Sequence, residues 1–298
     1  MMNRILRFLI ETNLFIAFAA VAFLWANIYW LNIQISTSTI LSVQVFFSTW
    51  FVYQISRWVY YIKGEYGNKE ELIVKWFEKY PKIVPISIVL SLIISVDCVF
   101  YFKIKTIIVL CIIGLVSVLY PIPVLKPFGI NTRLRDFPFI KIFLIAFVWS
   151  TTSVVLPFTE SGLLFSDRKD IIMIWLMQFI YILFITLPFD INDAETDKNT
   201  GTKTIATVFG IKTSKYIGLI LGILHTFLLI YAYMLENWRS IQHIYLNEWA
   251  VLSILILTIL LQWFTFKHSD KVEKRTIKIV YDGSMIIYFL IMYLNHFL

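Results

Sequence analysis

Charge is scarce in this chain. Only 15% of its 298 residues are Asp, Glu, Lys or Arg, against ~25% in an ordinary soluble domain. Hydrophobic residues make up 59%, and the mean hydropathy is +0.77. Apolar runs of about 20 residues recur from end to end, each long enough to cross a hydrocarbon core as a helix. A water-soluble globular domain is excluded. Cysteine is scarce too: Cys98 and Cys111 both sit in apolar runs, too few for a disulfide framework and without metal-ligand spacing. The four histidines, His225, His243, His268 and His296, are scattered in no ligand pattern. Segments of ~10 residues alternating in polarity, the mark of a transmembrane barrel, are absent. No small-residue cleavage site follows the first apolar run, and that run is too long for a signal-peptide core, so it is expected to persist as a helix. These absences leave an all-α, polytopic membrane protein.

Nine spans are expected, over residues 12–33, 39–62, 83–102, 104–120, 138–158, 170–189, 215–235, 248–266 and 278–297. Basic residues in short loops set orientation. With the N-terminus in the cytoplasm, all 26 Lys and Arg fall on the cytoplasmic side except Lys103, Lys105, Arg168, Lys169 and Arg239. The C-terminus then lies on the opposite side, and the cytoplasmic (inner) membrane is the expected location. The net charge of +7 follows from this bias, with no need for a nucleic-acid partner. The loop "NKEELIVKWFEKY" after the second span is amphipathic and suits an interfacial helix. Gly218 and Gly222 form a GxxxG pair suited to close helix packing. Asp97 and Asp282 sit in apolar runs, and interface exposure near span ends is expected for both.

The sixth span ends on a cluster of carboxylates, "PFDINDAETDKNTGTKT". Asp190, Asp193 and Asp197 lie at i, i+3 and i+7, within about 60° of one another on a helix. Glu195 and Asn192 point elsewhere. Three acids on one stripe repel unless a cation lies among them. Mg²⁺ suits such oxygens, joining one or two carboxylates to substrate phosphates; a solvated acidic surface is the plainer alternative. Downstream, Gly201 suits a turn, Lys203 a phosphate contact, and Thr213 or Ser214 the N-cap of the seventh span.

The segment "DINDAETDKNTGTKTIATVFG" resembles the second aspartate-rich motif of the UbiA superfamily of intramembrane prenyltransferases. The resemblance extends to nine spans with this motif between the sixth and seventh, and to the Tyr-Pro-rich basic loop "LYPIPVLKPFGINTRLRDFPFIKIF". Arg4, Arg7 and Asn13 are similar to the family's opening. The likeness covers the whole chain, residues 1–298, as one domain. One departure is plain. Where the family carries a first motif, NDxxDxxxD, this chain reads "FVYQISRWVYYIKGEYG". Tyr53 and Gln54 replace Asn-Asp, and Arg57 and Tyr61 stand at the next two aspartate positions, so two facing Mg²⁺ sites cannot form from these residues.

The resemblance implies a helical bundle with a central cavity open to the cytoplasm. It implies transfer of a prenyl group from an isoprenoid diphosphate to an aromatic or lipid acceptor. Asp190, Asp193 and Asp197 would be the catalytic metal ligands for Mg²⁺. Arg57, Lys126, Arg133, Arg135, Lys141 and Lys203 would meet the diphosphate, and Tyr53 and Tyr120 would supply aromatic faces in the cavity. Arg57 at a metal-ligand position suggests a fixed cation in place of a metal; snorkelling to headgroups is the alternative. Loss of the first motif leaves a second expectation, a non-catalytic protein that binds isoprenoid or anionic lipid, or an assembly partner. A transporter would call for paired broken helices in internal repeats, which the sequence lacks.

Overall fold

The computed structural model describes residues 4–63, 76–119, 139–164, 170–199, 201–239 and 246–297, and among these the chain is helical without strands. A short α1 (Arg4–Glu11) leads into α2 (Leu14–Leu31), α3 (Ser38–Lys63), α4 (Ile83–Val99) and α5 (Ile104–Leu119). Then come α6 (Ile140–Ser161), α7 (Asp170–Asn199), α8 (Ile205–Arg239), α9 (Glu248–His268) and α10 (Lys274–Phe297). Each expected span falls on one of α2–α10. Six of these, α2 and α6–α10, are long and apolar enough to cross a membrane; α4 and α5 are shorter apolar helices. The long α3 is more polar, carrying Gln44, Gln54 and Arg57.

Packing follows composition. Helix α2 is apolar on every side, and a helix of that kind must be covered all round by protein or lipid. It lies against α3, α6 and α10, while α7 lies against α6, α8 and α10. These two helices are the centre: 67% of the apolar stretch of α7 is buried, against 28% for α8. Phe23 and Trp30 of α2, Tyr181 of α7 and Tyr288 of α10 are fully buried in one aromatic cluster. The outward faces of α4, α5 and α8 show Ile and Leu, as lipid contact requires. At one end a polar knot joins two loops to the last turn of α6. The buried Glu160 accepts hydrogen bonds from Thr37 Oγ1 (2.7 Å) and Lys103 N (3.1 Å), and Lys103 Nζ donates to the Glu160 carbonyl (2.6 Å).

Three sequence expectations are corrected here. Helix α7 does not end at 189; it runs through Pro188 to Asn199, so the acids lie on ordered helix. The polar extension holds because Asn192 Nδ2 donates to the Ser269 and Val272 carbonyls of the α9–α10 turn, at 3.0 and 2.9 Å. Helix α8 begins at Ile205 but holds two helices that meet at a kink at Gly210, so the second starts just after Gly210, a few residues before the expected 215. Thr204 and Thr207 bond each other reciprocally at the start of the first, each Oγ1 accepting the other's N–H. Thr213 and Ser214 are therefore not caps. The helix breaks instead at Gly210 (φ 83°, ψ 158°), whose carbonyl accepts from Ser214 Oγ. Gly218 and Gly222 do face packed neighbours, Leu187 and Thr265 at the first and the Gln262 side chain at the second. Of the amphipathic loop, only residues 76–80 fall within the described residues.

Candidate functional site

Helix α3 builds one wall. Trp50, Gln54 and Arg57 lie at i, i+4 and i+7, one face of a helix. Trp50 Nε1 and Gln54 Nε2 donate to the Thr12 carbonyl (2.9 and 3.3 Å), and Arg57 Nη1 to the Glu11 carbonyl (3.4 Å). The α1–α2 turn is thereby held against α3, with Asn13 in the left-handed region (φ 62°). Positions that lack the expected acids are thus occupied by a clamp. Asn13 is buried, and among the described residues neither polar atom of its amide has a hydrogen-bond partner.

The clamp borders a cavity of about 250 Å³. Asp190 and Asp193 of α7 line it together with Arg57 and Tyr53 of α3 and with Asn13. Lys141 reaches in from the start of α6, and Lys274, Lys278 and Asp282 from α10. Asp190 is 1% exposed and its Oδ1 accepts from Lys141 Nζ; its Oδ2 is buried with no partner among the described residues. Asp193 Oδ2 accepts from Lys274 Nζ at 2.8 Å. The Asp282 carboxylate feels the charges of Lys278 and Arg57. Among the described residues the lining sets four cations against three carboxylates, an excess of positive charge suited to a polyanion.

The sequence-predicted residues divide. Asp190, Asp193, Arg57, Lys141 and Tyr53 meet at this cavity. Asp197 and Lys203 are not among its lining residues. Asp197 shares the stripe, but seven residues carry it ~10 Å further along the axis, past the rim. Tyr120, Lys126, Arg133 and Arg135 lie outside the described residues. Asp97 is exposed, as expected, whereas Asp282 lines the cavity and corrects the expectation of interface exposure. Lys274, Lys278 and Asp282 had a readable signal, the i, i+4, i+8 spacing of one helical face, hidden because the lysines also satisfy a topological role.

A second, larger cavity of about 460 Å³ adjoins the first, and both are lined by Tyr53, Ile145 and Trp149. It runs between α2, α3, α4, α5 and α6 and is lined chiefly by apolar side chains. A π-helical turn, Thr151–Val155, interrupts α6 along its wall; such bulges are frequent at functional sites.

The architecture is that of a helical membrane protein with a cation-rimmed polar cavity opening onto an oily chamber. The chain belongs to the UbiA prenyltransferase family, whose model matches residues 82–290. Among solved structures it is similar to a UbiA homolog from Archaeoglobus fulgidus at 13% identity, with 98% of each chain covered and a TM-score of 0.64. The same homolog bound to GPP and Mg²⁺ matches at 12% identity over 97% of this chain and 99% of that one, TM-score 0.65. A UbiA homolog from Aeropyrum pernix K1 matches at 10% identity over 93% and 98%, TM-score 0.64. At these identities the likeness is one of fold. No curated protein matches the sequence.

The residues present can be tested against Mg²⁺. Among the described residues no three acids or other metal-binding side chains gather into a cluster. The buried, unpartnered Oδ2 of Asp190 beside Asp193 nevertheless offers what Mg²⁺ commonly takes from protein, one or two carboxylates with phosphate and water completing the shell. The donor set fits one ion completed by substrate.

Proposed function

We propose that this protein transfers a prenyl group from an isoprenoid diphosphate to a lipid-soluble acceptor, aromatic or lipid, within the membrane. The observation that carries the reading is the juxtaposition of Arg57, Lys141, Lys274 and Lys278 with Asp190 and Asp193 at one cavity that adjoins an apolar chamber. The diphosphate sits among the cations and the chain lies in the chamber. Arg57 engages phosphate oxygens through its planar fork. Lys141 and Lys274 exchange their aspartate partners for phosphate oxygens. As the C–O bond lengthens, negative charge gathers on the leaving diphosphate and fixed cations stabilise it. The aromatic faces of Tyr53, Phe189 and Trp149, all on the cavity wall, stabilise the allylic cation. The apolar chamber keeps water from it. The acceptor bonds to the prenyl carbon and releases a proton. Asp190 and Asp193 would hold Mg²⁺, which when bound supplies further neutralisation of the leaving group.

In this reading the protein is one domain of nine crossings in the cytoplasmic membrane, with the N-terminus and the polar cavity on the cytoplasmic side; basic-residue bias supports that orientation. The test is incubation of purified protein with Mg²⁺, labelled prenyl diphosphates and a panel of quinone precursors and lipid acceptors. Release of diphosphate above a boiled control is expected; its absence for every chain length and acceptor overturns the enzymatic reading. The ion pairs of Asp190 with Lys141 and Asp193 with Lys274 favour a second reading, isoprenoid or anionic-lipid binding without turnover. That reading expects ligand to raise the thermal midpoint while no diphosphate is released.

A further inference from the structure

Resting on the prenyl-transfer reading, we infer that Asp282 is the proton acceptor of the reaction, the group that takes the proton the acceptor gives up as it bonds to the prenyl carbon. Asp282 is the only acid of α10. An acid within a spanning helix is costly, so it faces a cavity or a partner and marks a functional path. Asp282 lines the polar cavity, and nothing in the binding of a diphosphate calls for a third carboxylate there.

Its depth is fixed by three contacts between α7 and α10, which run antiparallel. Lys274 Nζ meets Asp193 Oδ2 at 2.8 Å. Further in, Tyr181 Oη lies 2.8 Å from Ser284 Oγ, and Gln178 Nε2 donates to Tyr288 Oη at 3.3 Å. Counted from each contact in turn, Asp282 is about level with residues 183–185 of α7, roughly 8–10 Å deeper than Asp190. Helix α6 gives the same height. Lys141 pairs with Asp190, and an equal descent from Lys141 falls between Ile145 and Trp149. Those two residues and Tyr53 line both cavities. Asp282 therefore stands level with the junction, below the other two carboxylates.

Position and pairing together single it out. In the prenyl-transfer reading the diphosphate lies among the cations and the chain in the chamber, so the reacting carbon lies between them, near the junction. Asp190 already accepts from Lys141 and Asp193 from Lys274, and both would hold Mg²⁺. Asp282 has Lys278 and Arg57 as neighbouring charges. Water is kept from the site, so the proton needs a fixed acceptor within reach. The C1–O bond breaks and its electron pair leaves with the diphosphate. A π pair of an aromatic acceptor, or a lone pair of a hydroxyl acceptor, forms the new bond to C1. The C–H or O–H proton passes to an Asp282 carboxylate oxygen, and the electron pair of that bond returns to the ring or stays on oxygen. The proton is lost to water as the products leave, which restores the carboxylate.

The test uses the full-length protein in detergent with Mg²⁺ and geranyl, farnesyl, geranylgeranyl or octaprenyl diphosphate. The acceptors carry deuterium at the reacting position: ring-deuterated hydroxybenzoate and dihydroxynaphthoate, and a diacylglycerol exchanged in D₂O. In Asp282→Asn, kcat is expected to fall roughly 10²–10⁴-fold, the usual contribution of a positioned base. The KM for the diphosphate stays level or falls, because a negative charge near a polyanion has been removed. Deuterium slows this variant and leaves wild type unaffected, since proton removal has become the slow step. Asp282→Glu keeps the carboxylate but displaces it, so an intermediate kcat with a smaller isotope effect is expected, and this variant decides the matter if Asp282→Asn does not fold. A wild-type kcat in Asp282→Asn, or a fall in kcat without an isotope effect, overturns the assignment and leaves the prenyl-transfer reading standing, with the departing diphosphate as proton acceptor. Failure of wild type to release diphosphate with every pair of substrates overturns the reading itself, and the assignment with it.

Discussion

Lys274 Nζ lies 2.8 Å from Asp193 Oδ2, joining the first turn of α10 to the acidic stripe of α7 across 81 residues of sequence. The pair is partly buried and closes one side of the polar cavity. Together with Lys141 and Asp190 it means that the carboxylates are neutralised before any ligand arrives. Binding a diphosphate is then an exchange of partners, and substitutions on the two sides of each pair are expected to differ in sign.

Asp190→Asn and Asp193→Asn should each lower turnover by roughly 10²–10³-fold, the usual cost of removing one group aimed at transition-state charge. Diphosphate release with saturating Mg²⁺ measures it. The freed lysines should hold the diphosphate no more weakly than before, so KM is expected to stay level or fall. A rise in KM with unchanged kcat contradicts this account.

Arg57→Lys keeps the charge but loses the planar fork. A hydrogen bond to a charged group contributes about 1.5–3 kcal/mol, so diphosphate affinity should fall roughly 10- to 150-fold. Arg57→Ala should be worse, because Asp282 then keeps only Lys278 of its two cations. Wild-type affinity in Arg57→Lys would place the guanidinium outside the binding path.

Gly210 and Gly114 make a paired test. At neither would an added Cβ meet another atom within 4 Å. Yet Gly210 has φ 83° and ψ 158°, a region essentially reserved for glycine, whereas Gly114 lies within α5. Gly210→Ala should destabilise by about 1–3 kcal/mol. Gly114→Ala should stabilise by ~0.5–1 kcal/mol. Thermal midpoints without ligand report both.

Glu160→Ala should lower stability by about 1–3 kcal/mol, since it leaves the Lys103 N–H and Thr37 hydroxyl unsatisfied. These groups sit at the far end of the bundle from Asp190, so turnover at low temperature should be retained. Thermal denaturation followed by activity separates the two effects.

Asp270, between α9 and α10, pairs with Lys215 at 2.7 Å. Burial alone would raise its carboxyl, but the hydrogen bond and charge of Lys215, with Lys271 beside it, hold it below the ordinary value. A lowered folded-state value means stability that is present above ~pH 4 and lost as pH falls through the lowered value. A Lys215→Ala/Asp270→Ala double-mutant cycle should show coupling under ~1 kcal/mol, weaker in high salt and gone in strong acid.

Much of this was legible from residues alone. Scarce charge and repeated apolar runs dictate helices in a membrane, because unsatisfied backbone groups are too costly in hydrocarbon. The acidic stripe was visible through helical period, a local property, and the motif around it pointed to the family. Packing decided the rest. Whether Arg57 faced lipid or the interior depended on α1 and α7, far away in sequence. Asp197 shares the stripe yet lies beyond the cavity, because only tertiary contact fixes where along a helix a wall begins. Lys274, Lys278 and Asp282 read as ordinary flanking residues until α10 was laid against α2 and α7. Spacing along a chain determines which residues share a face; which face meets which is set by the burial of many side chains at once, and no short stretch of sequence encodes that.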